Sequence, residues 1–185
     1  MGKRSAGFER RAQDWYCTPA KAVLPLLPHL LPRTRFVEPC AGDGALVRAL
    51  EAAGHICVHA SDIELRAQGI VQDDAATCEL VEGSAAITNP PWQWDMLAPI
   101  IENLSAQLPT WLLLDADFMH NVRAARFMRQ CRKIVSIGRV QWIADSKQSG
   151  KSNSCWMLFE ATPGPTLFYE RAGGALPALS PTGRN

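Results

Sequence analysis

The chain lacks any long apolar run. No stretch approaches the roughly 18 residues that a helix needs to cross a bilayer, so no membrane span is expected. The basic opening MGKRSAGFERR is not followed by the apolar segment of a secretory leader. A C-x-x-C pair is also missing. The six cysteines, at positions 17, 40, 57, 78, 131 and 155 of 185 residues, are spread evenly. That argues against the disulfide framework of a small secreted protein. Several sit in apolar runs, where cysteine acts as a small hydrophobe, so they read as reduced thiols of a cytoplasmic protein. Charge of one sign is not in excess: 19 Lys and Arg against 18 Asp and Glu leave +1. No global basic signature demands a nucleic-acid partner, although a binding face is a local property. No internal repeat is present.

What remains is an ordinary globular composition, 47% apolar and 20% charged, sufficient for one core. Residues 1–13 read as a basic arm, 14–160 as one folded domain, and 161–185, rich in Pro, Gly, Ser and Thr, as a tail. Thr18 before Pro19 reads as a helix N-cap with proline at the first helical position. The following apolar segment, Ala22 to Leu31, contains Pro25 and Pro28, so its helix must be short or broken. Strands are expected at Arg35–Glu38, Ile56–Ala60, Gly69–Val71, Ala85–Thr88 and Trp111–Leu114. Further strands are expected at Ile134–Ile137, Val140–Ile143 and Cys155–Glu160. Helices are expected at Ala45–Ala53, around Met96–Gln107 and at Phe118–Cys131, the last with Arg123, Arg126 and Arg129 on one face. Strands alternating with helices imply an α/β fold with a mostly parallel sheet, closed by a C-terminal antiparallel hairpin. Ligands of such sheets bind at the carboxyl ends of the strands.

The chemistry-bearing residues fall at those ends. Phe36-Val37-Glu38-Pro39-Cys40-Ala41-Gly42-Asp43-Gly44 is a strand, an acidic residue and a G-x-G turn opening a helix. The glycines permit close approach of a ligand, and the helix N-terminus offers N–H groups to a carboxylate or phosphate. Glu38 suits a cationic ammonium. The third glycine of a dinucleotide fingerprint is missing, which disfavours a dehydrogenase. Asp62 ends the next strand, 18 residues beyond Gly44, where an acid can accept both hydroxyls of a ribose. Asn89-Pro90-Pro91-Trp92 follows the fourth strand. An exocyclic amino nitrogen is a poor nucleophile because its lone pair is delocalised. The Asn89 side-chain oxygen and the Pro90 carbonyl can accept its two N–H groups and free that lone pair. The prolines hold the carbonyls rigidly, and Trp92 offers a surface for a base to stack on. Neither a metal nor a shifted general base is required.

These motifs resemble the class I S-adenosylmethionine-dependent amino methyltransferases, most closely small phage- and prophage-type N6-adenine DNA methyltransferases. The resemblance spans roughly residues 14 to 160 and is strongest at 36–44 and 89–92. It implies a Rossmann-like domain that transfers a methyl group from S-adenosylmethionine to N6 of adenine in DNA. Glu38, Pro39 and the Cys40, Ala41, Gly42 and Gly44 backbone would hold the methionine part. Asp62, with Ile63 beside it, would hold the ribose, and an acid after the third strand, Asp73 or Asp74, the adenine. Spacing slightly favours Asp74. Tyr16-Cys17-Thr18-Pro19 matches the family's aromatic-Thr-Pro motif. Thr18 would then contact the cofactor carboxylate, a role compatible with a helix cap, and Tyr16, Pro19 and Asn89 are further cofactor-binding candidates. The target base must be flipped from a duplex or taken from a single strand.

Phosphate contacts are expected from Lys3, Arg4, Arg10 and Arg11 and from the loop at 145–153, with Lys147, Lys151 and Asn153 as substrate-binding candidates; Arg123, Arg126, Arg129, Arg132 and Lys133 form a further basic region, for which an exposed helix face is an equal reading. Trp142 and Trp156 flank that loop, as similar tryptophans do in the small adenine enzymes. A solvated hairpin is an equal reading of it. Asp117 and His120 lie where substrate-side residues could fall. Other amino acceptors remain: N4 of cytosine, adenine in RNA, or a protein glutamine. A non-catalytic cofactor-binding module is the second alternative, against which the intact Glu38, Asp62 and Asn89 set argues.

Overall fold

In the computed structural model, residues 17–142 and 150–171 are described. One eight-stranded sheet organises them, in the order β3-β2-β1-β4-β5-β7-β6-β8. Its first half is parallel: β1 (Arg35–Glu38), β2 (Ile56–Asp62), β3 (Val71–Gln72), β4 (Ala85–Thr88) and β5 (Thr110–Asp115). Beyond β5 the direction reverses. β7 (Asn153–Phe159) lies antiparallel to both β5 and β6 (Cys131–Arg139), which form the closing hairpin.

Alternation along the central strands builds two cores, because successive side chains of a strand point to opposite faces. Trp111, Leu113, Trp156 and Leu158 pack on one face with Ala22 and Val23 of α1 (Ala20–Val23) and Leu46 and Leu50 of α2 (Ala45–Ala52). Leu112, Leu114, Cys155, Met157 and Phe159 pack on the other with Leu97, Ala98 and Ile101 of α3 (Trp94–Gln107) and Phe127 of α4 (Ala125–Met128). Burial pushes the thiols of Cys131 and Cys155 up to about 12, so both stay neutral within the second core. Among the described residues no helix is long and apolar enough to cross a membrane.

Several local expectations need correction. Pro19, not Thr18, occupies the N-cap of α1, in an extended conformation with no side-chain cap, and the Thr18 hydroxyl is used elsewhere. The segment Phe118–Cys131 is not one helix. It forms 3-10 turns at Ala116–His120 and Val122–Ala124 and then the single turn α4. Asp115 and Asn121 accept from the backbone N–H groups of Asp117 and Arg123, each at 2.9 Å. Such short-range side-chain bonds restart the backbone instead of continuing a helix. Arg126 is paired with Glu102 at 2.9 Å, and the Arg123 guanidinium lies 6.0 Å from the Trp94 ring.

β6 runs through the strand expected at Ile134–Ile137 and on to Arg139, past an irregularity at Ser136/Gly138 where Gly138 has φ 76°. Val140 to Trp142 are not strand, and Ile143 lies outside the described residues. The sheet also continues past residue 160. β8 (Leu167–Tyr169) pairs in parallel with β6, within the segment expected to be tail.

Candidate functional site

At the carboxyl ends of β1, β2 and β4 a cleft opens to solvent. The G-x-G turn that forms its floor is held by its own hydrogen bonds. Ala41 N–H donates to the Ser61 carbonyl at 2.8 Å, Gly42 N–H to Asp62 Oδ2 at 2.8 Å, and Gly44 N–H to the Ala41 carbonyl at 2.7 Å. Gly42 (φ 56°) and Gly44 (φ 77°) both adopt the left-handed backbone that a side chain disfavours. The helix N-terminus is less open than its sequence implies, because Asp43 Oδ1 already accepts the Ala45 N–H at 3.0 Å.

Asp62, buried at the end of β2, clamps the turn. Its second oxygen accepts from Glu64 N–H at 3.0 Å, and its carbonyl accepts from Asp73 N–H at 3.0 Å. These bonds leave each carboxylate oxygen further acceptor capacity, and Asp62 lines the cleft.

Glu38 is buried, and its Oε2 has no hydrogen-bond partner among the described residues. Burial raises its carboxyl well above the ordinary value, and the neighbouring Asp62 charge adds to the rise. The Val47 N–H works in the opposite direction, and Asp43 raises it further. Burial likewise pushes the Cys40 thiol far up. Cys40 is therefore a neutral wall residue.

Asp74 stands on the cleft wall, with its Oδ1 accepting from Ala76 N–H at 2.9 Å, whereas Asp73 does not line the cleft. Ile63, exposed at 48%, lines the cleft just after the end of β2, and Ala75, Met96 and Ile100 supply further apolar lining.

Asn89 follows β4 and lines the cleft. Its Nδ2 donates to Thr18 Oγ1 at 3.2 Å, which orients the carboxamide and joins the Thr-Pro segment to the Asn-Pro-Pro-Trp segment across the cleft. Thr18, Asn89 and Pro91 line this cleft, while Pro90 is buried. Trp92 turns the other way. Its Nε1–H donates to the Leu113 carbonyl at 2.9 Å, and its ring meets Trp142 edge-on. Trp92 instead lines a second cleft with Trp94, Leu97, Leu114, Asp115, Asp117, Phe118 and Asn121. The four-residue motif is therefore the partition between the two clefts.

Of the anticipated residues, Thr18, Glu38, Pro39, Cys40, Ala41, Gly42, Asp62, Ile63, Asp74, Asn89 and Pro91 line the first cleft. Pro19, Gly44 and Asp73 adjoin it without lining it. Lys151 and Asn153 are exposed and line neither cleft, and His120 is likewise exposed and outside both. Tyr16 and Lys147 lie outside the described residues.

Cys17, Arg66, Met96 and Ile100 line the first cleft and were not anticipated. Cys17 Sγ donates to Asp43 Oδ2 at 3.2 Å, and Arg66 is ion-paired with Glu64. Met96 and Ile100, four apart on α3, share a helix face, a signal available in the sequence. Among the described residues no cluster of three His, Cys, Asp or Glu side chains could hold a metal ion.

No protein-family model matches the chain, and no curated protein matches it in sequence. Solved structures do resemble it. A proposed RNA methyltransferase from Pyrococcus horikoshii superposes with a TM-score of 0.60 at 12% identity, over 86% of this chain and 93% of that one. A proposed class I S-adenosylmethionine-dependent methyltransferase from Listeria monocytogenes gives 0.57 at 12% identity, over 88% and 68%. The M protein of the type I restriction enzyme EcoKI gives 0.53 at 13% identity, over 82% of this chain and 45% of that protein. At such identities the likeness is one of fold. The fold is the Rossmann-like α/β fold of class I methyltransferases, with its mostly parallel sheet and antiparallel C-terminal strands.

Proposed function

We propose that the chain is an S-adenosylmethionine-dependent methyltransferase acting on an exocyclic amino group, with N6 of adenine in DNA as its acceptor. One observation carries the reading: Asn89 and Pro91 face the same cleft as Glu38, Gly42, Asp62 and Asp74.

The residues fit the cofactor. An unpartnered buried carboxylate oxygen on Glu38 suits an ammonium, and Asp62 retains acceptor capacity for ribose hydroxyls. Asp74 stands beside apolar Ile63, Ala75 and Ile100, a setting for an adenine ring with an amino edge. When bound, the cofactor supplies an electrophilic methyl group on a sulfonium.

This chain then has to bring an amino nitrogen in line with that methyl and raise its nucleophilicity. The Asn89 Oδ1 and the Pro90 carbonyl accept the two amino N–H groups and draw the nitrogen toward tetrahedral geometry. Thr18 fixes the carboxamide for this role by accepting from its Nδ2. Rigid positioning of this kind supplies most of the rate in a direct displacement. Trp92 offers the acceptor ring an aromatic wall on the far side of the partition. A base reaches this position flipped from a duplex or from a single strand.

Adenine in DNA is favoured by the Thr-Pro and Asn-Pro-Pro-Trp pairing, and a nucleic-acid acceptor by the restriction-system and RNA-methyltransferase neighbours. The test offers methyl-tritiated cofactor with duplex DNA, single-stranded DNA, RNA and a protein extract in parallel. Label is expected in DNA. Label in protein alone overturns the DNA reading, and label in RNA alone moves the acceptor to RNA.

A further inference from the structure

The Asn-Pro-Pro-Trp segment is not held only by its own strand. We infer that Trp142 is a positioning residue of the acceptor site, fixing the indole of Trp92 against which an acceptor ring is seated. The functional consequence rests on the amino-methyltransferase reading, whereas the geometry stands by itself.

Three kinds of contact restrain the Trp92 ring. The 2.9 Å bond from Nε1–H to the Leu113 carbonyl anchors one edge to β5, and the ring packs against the cluster on the α3 side of the sheet. The third contact comes from the opposite core and sets the tilt of the ring: the Trp142 ring lies 5.6 Å from it, centroid to centroid, at an interplanar angle of 81°. This edge-to-face arrangement is the one favoured by the aromatic quadrupoles.

The pair also joins the two cores. Trp92 packs against the cluster on the α3 side of the sheet and Trp142 against the cluster on the α1 and α2 side.

Trp142 is in turn backed by Gly150. The Gly150 N–H donates to the Val140 carbonyl at 2.8 Å, closing the chain leaving β6 onto the chain entering β7. A Cβ at position 150 would lie 2.9 Å from the Val140 oxygen and 3.2 Å from both Cδ1 and Nε1 of Trp142. Only a glycine lets the backbone pass this close to the indole without moving it. Gly150, Trp142 and Trp92 are therefore a continuous series of contacts ending at the proposed acceptor motif. Trp156, the other tryptophan flanking this connection, has a different part. It is fully buried, and its Nε1–H donates to the Ala22 carbonyl at 2.8 Å.

The test uses Trp142→Ala, Trp142→Phe and Gly150→Ala in the full chain, with two separate readouts. The first is the exciton signal of the Trp92–Trp142 pair in circular dichroism, identified as the component lost in both Trp92→Phe and Trp142→Phe. In Gly150→Ala, which keeps both indoles, this signal is expected to shrink. An unchanged signal overturns the link through Gly150, whatever the protein methylates.

The second readout is kinetic. Trp142→Ala is expected to lower kcat/KM for the acceptor by about three- to tenfold in all, the worth of one aromatic contact, through a higher acceptor KM and a lower kcat. Cofactor Kd should stay unchanged, and Trp142→Phe should recover part of the loss. Wild-type acceptor KM and kcat in folded Trp142→Ala overturn the positioning role. If Trp142→Ala does not fold, Trp142→Phe and Gly150→Ala decide the question by the same split between acceptor and cofactor parameters. Absence of methyl transfer by the wild-type chain refutes the functional reading instead and leaves the exciton result to judge the contact.

Discussion

The two halves of the sheet present their ligand-facing residues by different means. In the parallel half, around β1, β2 and β4, the first cleft is shaped mainly by backbone. The Gly42 N–H meets Asp62, the Gly44 N–H meets Ala41, and two left-handed glycines turn the chain. In the antiparallel half, around β5, β6 and β7, side chains from distant segments do the shaping. Trp92 meets the Leu113 carbonyl and Trp142, and Trp156 meets the Ala22 carbonyl. A cleft built from backbone needs a short local sequence. A wall built from side chains needs residues brought together by the whole fold, and it can vary without disturbing the cleft beside it.

The boundary between the halves is Asn89 to Trp92, and substitution there should have the largest effect. Asn89→Ala should lower kcat by about a hundredfold or more, because a preorganised acceptor at the reacting nitrogen is lost. Cofactor Kd by calorimetry should change little, since the role proposed for the Asn89 carboxamide is toward the acceptor. An equal loss of cofactor binding would place Asn89 with the backbone half instead.

Next in size is Asp62→Ala. It removes the acceptor from Gly42 N–H and frees the turn, and should cost about 1–3 kcal/mol in urea unfolding, as an unpaired buried donor does. Cofactor Kd should weaken in parallel. Trp156→Phe is the matching change in the other half. It leaves the buried Ala22 carbonyl unpaired and should cost a similar amount or slightly less, about 1–2 kcal/mol, while cofactor Kd stays near wild type. Comparable loss of cofactor binding in both variants would show that the halves are not separable.

The smallest of these effects concerns Glu38 and pH. Its carboxyl titrates well above 4.5 in the folded chain, so between 4.5 and that raised value the folded state holds a proton that the unfolded state has released. This group's contribution to stability is therefore greatest below pH 4.5 and declines as pH rises through the window. Glu38→Gln carries no such penalty. Melting curves of the ligand-free proteins should coincide near pH 4 and separate toward neutral pH, with the variant more stable. Cofactor affinity should move in the opposite direction, because the uncharged amide attracts an ammonium less strongly. A variant less stable than wild type at neutral pH would remove this account of the buried carboxylate.

The same contrast explains what could be read from sequence. Glu38, Gly42, Gly44 and Asp62 lie within a few residues of strand ends, and the glycine-rich turn requires a short local pattern, so the first cleft was legible. Asp74 and Asp73 differ only in which side of the chain faces the cleft, and the two-residue strand β3 is too short to set that from pattern alone. The helix expected at Phe118–Cys131 misled because its apolar spacing is helical, while Asp115 and Asn121 interrupt the backbone through short-range bonds. β8 is hidden in sequence because residues 161–185 are rich in Pro, Gly, Ser and Thr, and a three-residue edge strand carries no alternation. The meeting of Trp92 with Trp142 spans fifty positions and had no local signal.

The central claim is that Asn89 and Pro90 activate an amino nitrogen on a nucleobase. Its most direct test is nucleoside mass spectrometry of unmethylated DNA incubated with isotope-labelled S-adenosylmethionine and either the wild-type chain or Asn89→Ala. The account predicts labelled N6-methyladenine from the wild type and none above background from the variant. Label on a ring carbon, or equal labelling by both proteins, would contradict it.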